Sequence, residues 1–499
     1  MKKSALGKLV CTMALCLAAM AARAQTFNSI VNFEGNDGRT PFVEALVQGT
    51  DGNFYGTTVN GGKYGEATLG YGAIFKVTPT GTLTLLHSFC VNWEEQCTDG
   101  YWPYVGLVQA ANGNFYGTTN RGGAHQEGTI FEITPAGKFS LLHSFCAKSN
   151  CTDGAQPWAA LTLGPDGNLY GTTEGGGRSS SNCGIGCGTV FQITPAGKFT
   201  ELYQFCSQGG CADGYYPNSL VLGSDGNLYG TTQADSVFRI STAGAVAVLQ
   251  ARYTGNESPQ PSALIEGSDG NFYGTTYAGG KGFYGTVFQI TPAGVSNTLY
   301  TFCSQTACAD GVNPKAGLVQ GTDGNLYGMT WQGGTGDAAA CNGTYGCGTV
   351  FQVTTSGALT TLHDFCSAVN CTDGARPQGS LIQATSGLFY GTPSSGGDIA
   401  CPGLYSLPGC GNVFSLSMGS APFVRAVPSV SKAGSVVQIL GNDLTGATSV
   451  KFNGAPAKFE VVSDTYIKAQ VPAGATGGTI QVTTPGGMLM SNAAFEALP

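Results

Sequence analysis

The residues with chemistry to offer are few, and most come in pairs. Of 18 cysteines, Cys11 and Cys16 lie in an apolar N-terminal stretch. The other sixteen form eight close pairs: Cys90 with Cys97, Cys146 with Cys151, Cys183 with Cys187, Cys206 with Cys211, Cys303 with Cys308, Cys341 with Cys347, Cys366 with Cys371, and Cys401 with Cys410. An even number of thiols clustered two by two in an exported chain reads as local disulfides. The competing chemistry is metal binding, but zinc sites favour C-x2-C spacing with histidine or further cysteine at hand. No C-x2-C occurs and the chain has only 4 histidines, so neither a metal nor any other cofactor is expected.

Carboxylates recur in Asp-Gly-x-x-Pro at Asp37, Asp99, Asp153, Asp213, Asp310 and Asp373, with Glu257-Ser258-Pro259-Gln260-Pro261 standing in one copy. One carboxylate per copy on a common face would make an acidic ring able to hold a cation. The plainer expectation is that each Asp caps its own turn. His87, His143 and His363 share a position that Tyr203 and Tyr300 occupy in other copies, which marks it as structural. His125 alone falls outside the pattern, in Gly122-Gly123-Ala124-His125-Gln126-Glu127, a slender basis for acid–base chemistry. There is no H-E-x-x-H, no phosphate-binding P-loop and no nucleophile elbow. Carboxylates that meet only in space keep glycoside cleavage open as an alternative.

The elements that must position these residues follow from composition and repetition. With 78 glycines and 22 prolines, a fifth of the chain resists helix, while 42% hydrophobic residues suffice for a core. An aromatic-Gly-Thr core recurs seven times, beginning at Tyr55, Tyr116, Tyr170, Tyr229, Tyr273, Tyr327 and Tyr390. Each copy keeps one order: an apolar run, Asp-Gly-Asn, Tyr-Gly-Thr-Thr, a variable Gly-rich loop, Gly-Thr-Val-Phe-Gln-Ile-Thr-Pro, a Gly turn and a last strand such as Phe139 to Phe145. That predicts four short strands per unit. Seven such meanders bury their faces when arranged radially, as a β-propeller. The seventh unit stops after Val413-Phe414-Ser415-Leu416, and Phe27 to Phe33 matches the missing last strand. The N-terminal strand is therefore expected to close the ring and remove an open edge. The fourth unit, with the short loop Gln233-Ala234-Asp235-Ser236 and no cysteine pairs, is expected to be thinner on one face.

The Asp-Gly-Asn-Leu-Tyr-Gly-Thr-Thr and Gly-Thr-Val-Phe elements resemble the GloVer tandem repeat of secreted bacterial proteins. That resemblance implies a propeller and brings no catalytic residues. After Gly419 the composition shifts and cysteine disappears. Gly441, Asn453-Gly454, Val471-Pro472 and Thr484-Pro485-Gly486-Gly487 are similar to those of an IPT/TIG domain, which implies an immunoglobulin-like module serving as spacer or docking platform. The expected fold is thus all-β, a seven-bladed β-propeller followed by an immunoglobulin-like β-sandwich. The expected divisions are a signal peptide at 1–24, the propeller at 25–417, a linker at 418–421 and the IPT/TIG domain at 422–499.

Lys2, Lys3 and Lys8, the apolar run Leu9 to Met20 and Ala22-Arg23-Ala24 read as a signal peptide cleaved after Ala24. Leu15 before Cys16 argues against a lipoprotein box. The protein is expected to be secreted, periplasmic or on the cell surface, with no transmembrane segment. The formal net charge is −8. Cleavage would remove four basic residues and no acid, leaving 18 basic against 30 acidic residues, or −12. Such a chain is unsuited to nucleic acid, whose affinity rests on Lys and Arg at phosphates.

In propeller geometry the loops between second and third strands, and those between units, share one face. That face carries all sixteen paired cysteines and, in or beside its loops, Trp93, Trp102, Trp158, Trp331, Tyr101, Tyr215 and Tyr216, with Phe283, Tyr284, Tyr345 and Tyr405 nearby. Aromatic residues on a pinned, weakly charged face suit stacking on sugar rings or contact with a protein. The competing expectation is that they only fill gaps between loops. The preferred function is non-catalytic binding of an extracellular carbohydrate or protein, with those seven Trp and Tyr residues as ligand contacts. The alternatives are a polysaccharide lyase or glycoside hydrolase with carboxylates around the channel, and a structural surface or matrix component.

Overall fold

The computed structural model describes residues 25–41, 46–64, 70–90, 96–234, 236–250, 261–341, 345–398, 400–401 and 409–498. The expected signal peptide, Trp93, Glu257 and Tyr405 lie outside the described residues. Among these residues helix is confined to five single 3-10 turns, and the rest of the regular structure is strand.

Among the described residues of 26–417 seven antiparallel sheets of four strands follow one another, the third with a fifth strand, Ala155–Pro157, and a separate two-stranded ladder pairs Ala375–Pro377 with Pro393–Ser395. The first sheet is typical: Val47–Gln48, Phe54–Thr58, Ala73–Val77 and Leu83–Ser88, paired in that order. The turn between its first two strands needs positive φ at Gly52 (78°). Asp51 fixes that turn: its Oδ1 accepts from the Asn53 amide at 3.1 Å and its Oδ2 from Asn53 Nδ2 at 2.7 Å and the Tyr55 hydroxyl at 2.8 Å. Tyr55 then stacks on Phe115 of the second sheet, centroids 3.9 Å apart. The glycine of Tyr-Gly-Thr has a different reason. A Cβ at Gly56 would stand 2.7 Å from Cζ of Phe75, the fully buried third-strand phenylalanine lying across it. Six further glycines, from Gly117 to Gly391, meet their own third-strand Phe in the same way.

The seventh sheet consists of Ile382–Gln383, Phe389–Gly391, Asn412–Ser417 and, on its outer edge, Thr26–Asn32. The N-terminal strand pairs from Thr26↔Ser417 to Asn32↔Asn412, with a bulge opposite Val413 and Phe414. The other six sheets carry their bulge at the equivalent Ile-Phe or Val-Phe step, for example Ile74-Phe75. The first strand of the chain thus occupies the repeat's last-strand position in register and irregularity alike. Its arrival gives Asn412–Ser417 a partner on the side that would otherwise be an open edge.

Neighbouring sheets are clamped by the Asp-Gly-x-x-Pro segments. In Asp99-Gly100-Tyr101-Trp102-Pro103, Trp102 takes φ 56° and its amide donates to the Tyr71 carbonyl of the preceding sheet at 3.0 Å. Pro103 Cδ lies 2.6 Å from where a Cβ on Gly72 would be. Gln156, Tyr216, Asn313 and Arg376 repeat this conformation, with φ of 55°, 56°, 55° and 52°. So does Thr40, at 53°, whose amide donates to the Cys410 carbonyl at 3.0 Å while Pro41 packs on Gly411. The last sheet therefore holds the first by the same clamp, and Tyr390 lies against Phe54 with centroids 4.1 Å apart.

The aspartates of this motif form no acidic ring. Asp213 and Asp310 are fully buried within their junctions. Asp213 accepts from the Ser207 and Gln208 amides at 2.9 and 3.3 Å and from the Tyr203 hydroxyl at 2.7 Å. Asp310 accepts likewise from Ser304, Gln305 and Tyr300. Asp99 and Asp373 pair with His87 and His363 at 3.0 and 3.1 Å. Each of these four carboxylates staples the loop upstream of it, and the shared His or Tyr position supplies a further partner.

Residues 423–498 form two four-stranded sheets and a parallel pair, Val430–Lys432 with Glu496–Leu498, around one core, Val437, Ile439 and Ile467 of one sheet facing Val450, Phe452, Ile480 and Val482 of the other. This unit sits on the Asp-Gly-Asn turns of the repeat region. Thr465 donates to the Thr50 carbonyl at 2.7 Å, Gln438 to that of Ala110 at 3.2 Å, and the Phe423 amide to that of Thr385 at 2.9 Å.

Candidate functional site

A channel runs between the first strands of the sheets, lined by apolar side chains such as Leu46, Leu107, Ile265, Leu318 and Leu381. Its two ends differ. On the side of the Asp-Gly-Asn turns, Arg425, Val427 and Leu440 of the C-terminal unit complete its wall. The Arg425 guanidinium donates to the Gln383 carbonyl, and burial pushes its pKa down to about 10. On the loop-rich side a cavity of about 480 Å³ opens, sharing Ala263 and Gly317 with the inner channel.

The cavity wall is drawn from two repeat positions. The residue after the junction proline supplies Tyr104, Trp158, Asn218, Ser262, Lys315 and Gln378. The residue after Tyr-Gly-Thr-Thr supplies Glu174, Gln233 and Tyr277, and in the next unit it is Trp331. The flanking Pro and Thr are fixed by the clamps and ladders described above, so these two positions are held rigidly while their side chains are free to vary.

Tyr104 and Trp158 stack at 4.5 Å with an interplanar angle of 27°. Across the cavity Lys315 Nζ lies 3.8 Å from the Trp331 ring centroid and 5.5 Å from that of Tyr277. It donates to Gln378 Oε1 at 3.2 Å. The Arg376 guanidinium carbon is 5.5 Å from the same Trp331 ring. Burial, with a smaller contribution from Arg376, pushes the Lys315 ammonium down to about 8. Burial pushes the Glu174 carboxyl up, against the opposing effects of a hydrogen bond from Gln233 at 3.2 Å and the charge of Arg121. Among the described residues no carboxylate lies within ion-pair distance of Lys315 or Arg376. The Trp331 Nε1 and Arg376 Nε are buried without a hydrogen-bond partner.

Of the residues singled out in the sequence, Trp158 lines the cavity and Trp331 lies beneath Lys315. Tyr101 and Trp102 continue the aromatic row outward from Tyr104, with Tyr101–Trp102 and Trp102–Tyr104 centroids 5.0 and 6.3 Å apart. Tyr215 and Tyr216 pack, partly buried, against the core containing Cys187, Val190 and Phe205. Glu127 is engaged by Arg121 and Gln156, at 3.2 and 2.9 Å, while His125 is exposed. Sequence reasoning passed over Tyr104, Tyr277, Lys315 and Glu174. The available signal was variation: the residue after the junction Pro and the residue after Thr-Thr differ from copy to copy, while the Pro and Thr that precede them are nearly constant.

All eight cysteine pairs are disulfide-bonded within their own loops. Cys90 is bonded to Cys97, Cys146 to Cys151, Cys206 to Cys211, Cys303 to Cys308 and Cys366 to Cys371. Cys183 is bonded to Cys187, Cys341 to Cys347 and Cys401 to Cys410. The first five bridges share a feature the spacing did not reveal: both cysteines of each take positive φ, and those of Cys97, Cys151, Cys211, Cys308 and Cys371 are 48°, 51°, 57°, 55° and 54°. This left-handed backbone is unfavourable for a residue with a Cβ, and the junction holds it. The carbonyls of those five cysteines accept from Gly100, Gly154, Gly214, Gly311 and Gly374, the glycines of the Asp-Gly motif. Each of these bridges thus ties its loop to the clamp that follows.

Two of the bridges abut a second one, bringing Cys183, Cys187 and Cys206, and likewise Cys341, Cys347 and Cys366, within 4.8 Å of one another. The thiolate is the metal ligand, and these sulfurs are already bonded in pairs.

An all-β chain of tandem sheets around a channel is, in class, a propeller-like repeat protein. It shares this fold with two lyases and an oxidase of known structure. A streptogramin B lyase structure is 15% identical, with a TM-score of 0.50 over 79% of this chain and 97% of the other. Virginiamycin B lyase from Staphylococcus aureus is 14% identical, with a TM-score of 0.50 over 79% and 99%. A fungal alcohol oxidase in complex with copper is 13% identical, with a TM-score of 0.51 over 95% and 99%. At such identities the likeness is one of fold. No curated protein matches the chain in sequence. Residues 17–236, 146–340 and 233–450 match the Gloeobacter/Verrucomicrobia repeat, and the chain belongs to that family. Residues 422–497 match the IPT/TIG domain.

Proposed function

We propose that the protein is a secreted, non-catalytic binding protein that takes an extracellular carbohydrate into the mouth of a seven-bladed β-propeller. In this reading the propeller is 25–417, a linker 418–421 joins it to an immunoglobulin-like sandwich at 422–499, and residues 1–24 are removed on export. Eight disulfides support an oxidising destination, and no helix among the described residues is long and apolar enough to cross a membrane.

The observation that carries the proposal is the asymmetry of the channel. The C-terminal unit occupies one end, and the other opens into a cavity walled by stacked Tyr104 and Trp158, by Tyr277, and by the amides of Asn218, Gln233 and Gln378. Flat rings beside amide donors and acceptors match a sugar, whose faces are apolar and whose edges are hydroxylated. A glycan array probed with purified protein, run beside an assay for reducing-sugar release, tests it. Binding without release is the expected result. If no glycan is retained, the carbohydrate reading falls and a protein ligand takes its place.

A catalytic reading has one observation in its favour. The Lys315 amine, whose ammonium form has a pKa lowered to about 8 by burial, is available as a base in a usable fraction near neutral pH. Release of sugar ends in the same assay, lost in Lys315→Met, would establish a lyase or hydrolase instead.

A further inference from the structure

We infer that the cavity selects an acidic saccharide, one whose sugar ring stacks on Tyr104 and Trp158 while its carboxylate is held by Lys315 and Arg376. This rests on the carbohydrate reading above and adds the charge of the ligand to it.

The argument begins with charge. The chain is acidic overall, at −8, so its general field repels anions. At physiological salt, however, charges are screened beyond roughly 8 Å, and a ligand inside a cavity responds to the groups beside it. Lys315 lines the cavity and Arg376 lies beside it, both cations against the Trp331 ring at the cavity's edge. Arg121, by contrast, is paired with Glu127 at 3.2 Å. Here the nearest polar partners are neutral: Gln378 Oε1 for Lys315 and the Cys341 carbonyl for Arg376. Two cations held together without a counter-ion are costly in the empty protein. A carboxylate bound between them would relieve that cost with charge-assisted hydrogen bonds.

Glu174 also lines the cavity, and it has to be reconciled with an anionic ligand. Its Oε1 accepts from Gln233 at 3.2 Å, and burial raises its pKa, so it takes up a proton more readily than an exposed glutamate when an anion approaches. The second cationic position, Arg425, stands at the far end of the channel and is not part of this site.

The test uses the full exported protein and tetrasaccharides of galacturonate, glucuronate and mannuronate, each beside its carboxyl-reduced neutral form, with citrate as a sugar-free anion. Titration calorimetry is expected to find at least one uronate form bound about tenfold or more tightly than its neutral counterpart, the usual scale of a charge-assisted contact. That preference should collapse in Lys315→Met and in Arg376→Gln, and persist in Lys315→Arg. Melting temperatures of the variants, measured alongside, separate loss of the site from loss of the fold. Equal binding of acidic and neutral forms overturns the inference and leaves the carbohydrate reading standing. Citrate bound as tightly as the tetrasaccharides also overturns it, since charge alone would then suffice. If none of the tetrasaccharides binds, both readings fall together.

Discussion

The ammonium of Lys315 rests on the face of Trp331, 3.8 Å from the ring centroid, with the guanidinium of Arg376 at 5.5 Å from the same ring. A cation over an indole face is stabilised by the ring quadrupole, yet here burial and the second cation outweigh that attraction and lower the lysine to about 8.

The consequence for stability has a definite sign. The unfolded chain keeps the ordinary value of 10.5 while the folded chain holds about 8. Between these values the unfolded state binds the extra proton, so stability rises with pH across the window. Below about 8 the full penalty of burying the charge is present. Lys315→Met is therefore expected to raise the melting temperature at pH 7, with the gain shrinking as pH passes from about 8 to 10.5. Binding of a uronate should weaken over the same rise in pH as the ammonium is lost. Arg376 and Glu174 are the charged groups facing this lysine, and Arg376 stays charged across the window. A melting difference that does not vary with pH would dismiss the assignment.

The N-terminal strand is expected to be indispensable. It repeats the last-strand register of every other sheet, bulge included, and Phe33 at its end is fully buried. Deleting residues 27–33 leaves Asn412–Ser417 with an unpaired edge. Earlier melting and concentration-dependent aggregation, followed by calorimetry and light scattering, are the expected outcome. Unchanged melting would mean that the Pro41–Gly411 clamp alone closes the ring.

Peptide mapping without reduction should recover eight links, each inside one loop. The informative places are the abutting bridges, where Cys183, Cys187 and Cys206 lie within 4.8 Å and exchange is geometrically open. Because bridges that span only four to nine residues gain little entropy from closure, removing a single one should cost less than removing a buried aromatic. A link from Cys183 to Cys206, leaving Cys187 and Cys211 to find other partners, would contradict the assignment.

Much of this fold was legible in the sequence because its determinants are local and repeated. Asp51-Gly52-Asn53 writes its own turn, and the match of Phe27 to Phe33 with the outer strands reveals the closure before any coordinates. The site was harder to see. Aromatic content drew attention to Tyr215 and Tyr216, which the fold spends on packing against Val190 and Phe205. Lys315 and Glu174 are ordinary in isolation. Their meaning appears only when seven copies are superposed and the same two positions, after the proline and after Thr-Thr, turn up around one opening. The aspartates show the converse: their recurrence suggested a ring, but residues that recur unchanged at six of the seven junctions serve the junction.

Trp158 and Phe191 separate binding from folding most cleanly. Trp158 is half-buried in the cavity wall and stacks on Tyr104 at the opening. Phe191 is fully buried, lies across Gly171 and contacts the rings of Phe145 and Phe199, with centroids 5.3 and 5.4 Å away. Truncating a buried phenylalanine costs about 3–5 kcal/mol, so Phe191→Ala should lower the melting temperature strongly while any protein still folded binds normally. Truncating an aromatic anchor at a binding surface typically costs about 2 kcal/mol or more of affinity, some tenfold or greater. Trp158→Ala should therefore lose glycan affinity on that scale with nearly unchanged melting. Trp102→Ala, two rings further out, should lose less. If Trp158→Ala binds as the unaltered protein does, or unfolds as readily as Phe191→Ala, the tryptophan is a packing residue and the ligand must be sought on another part of the loop-rich face.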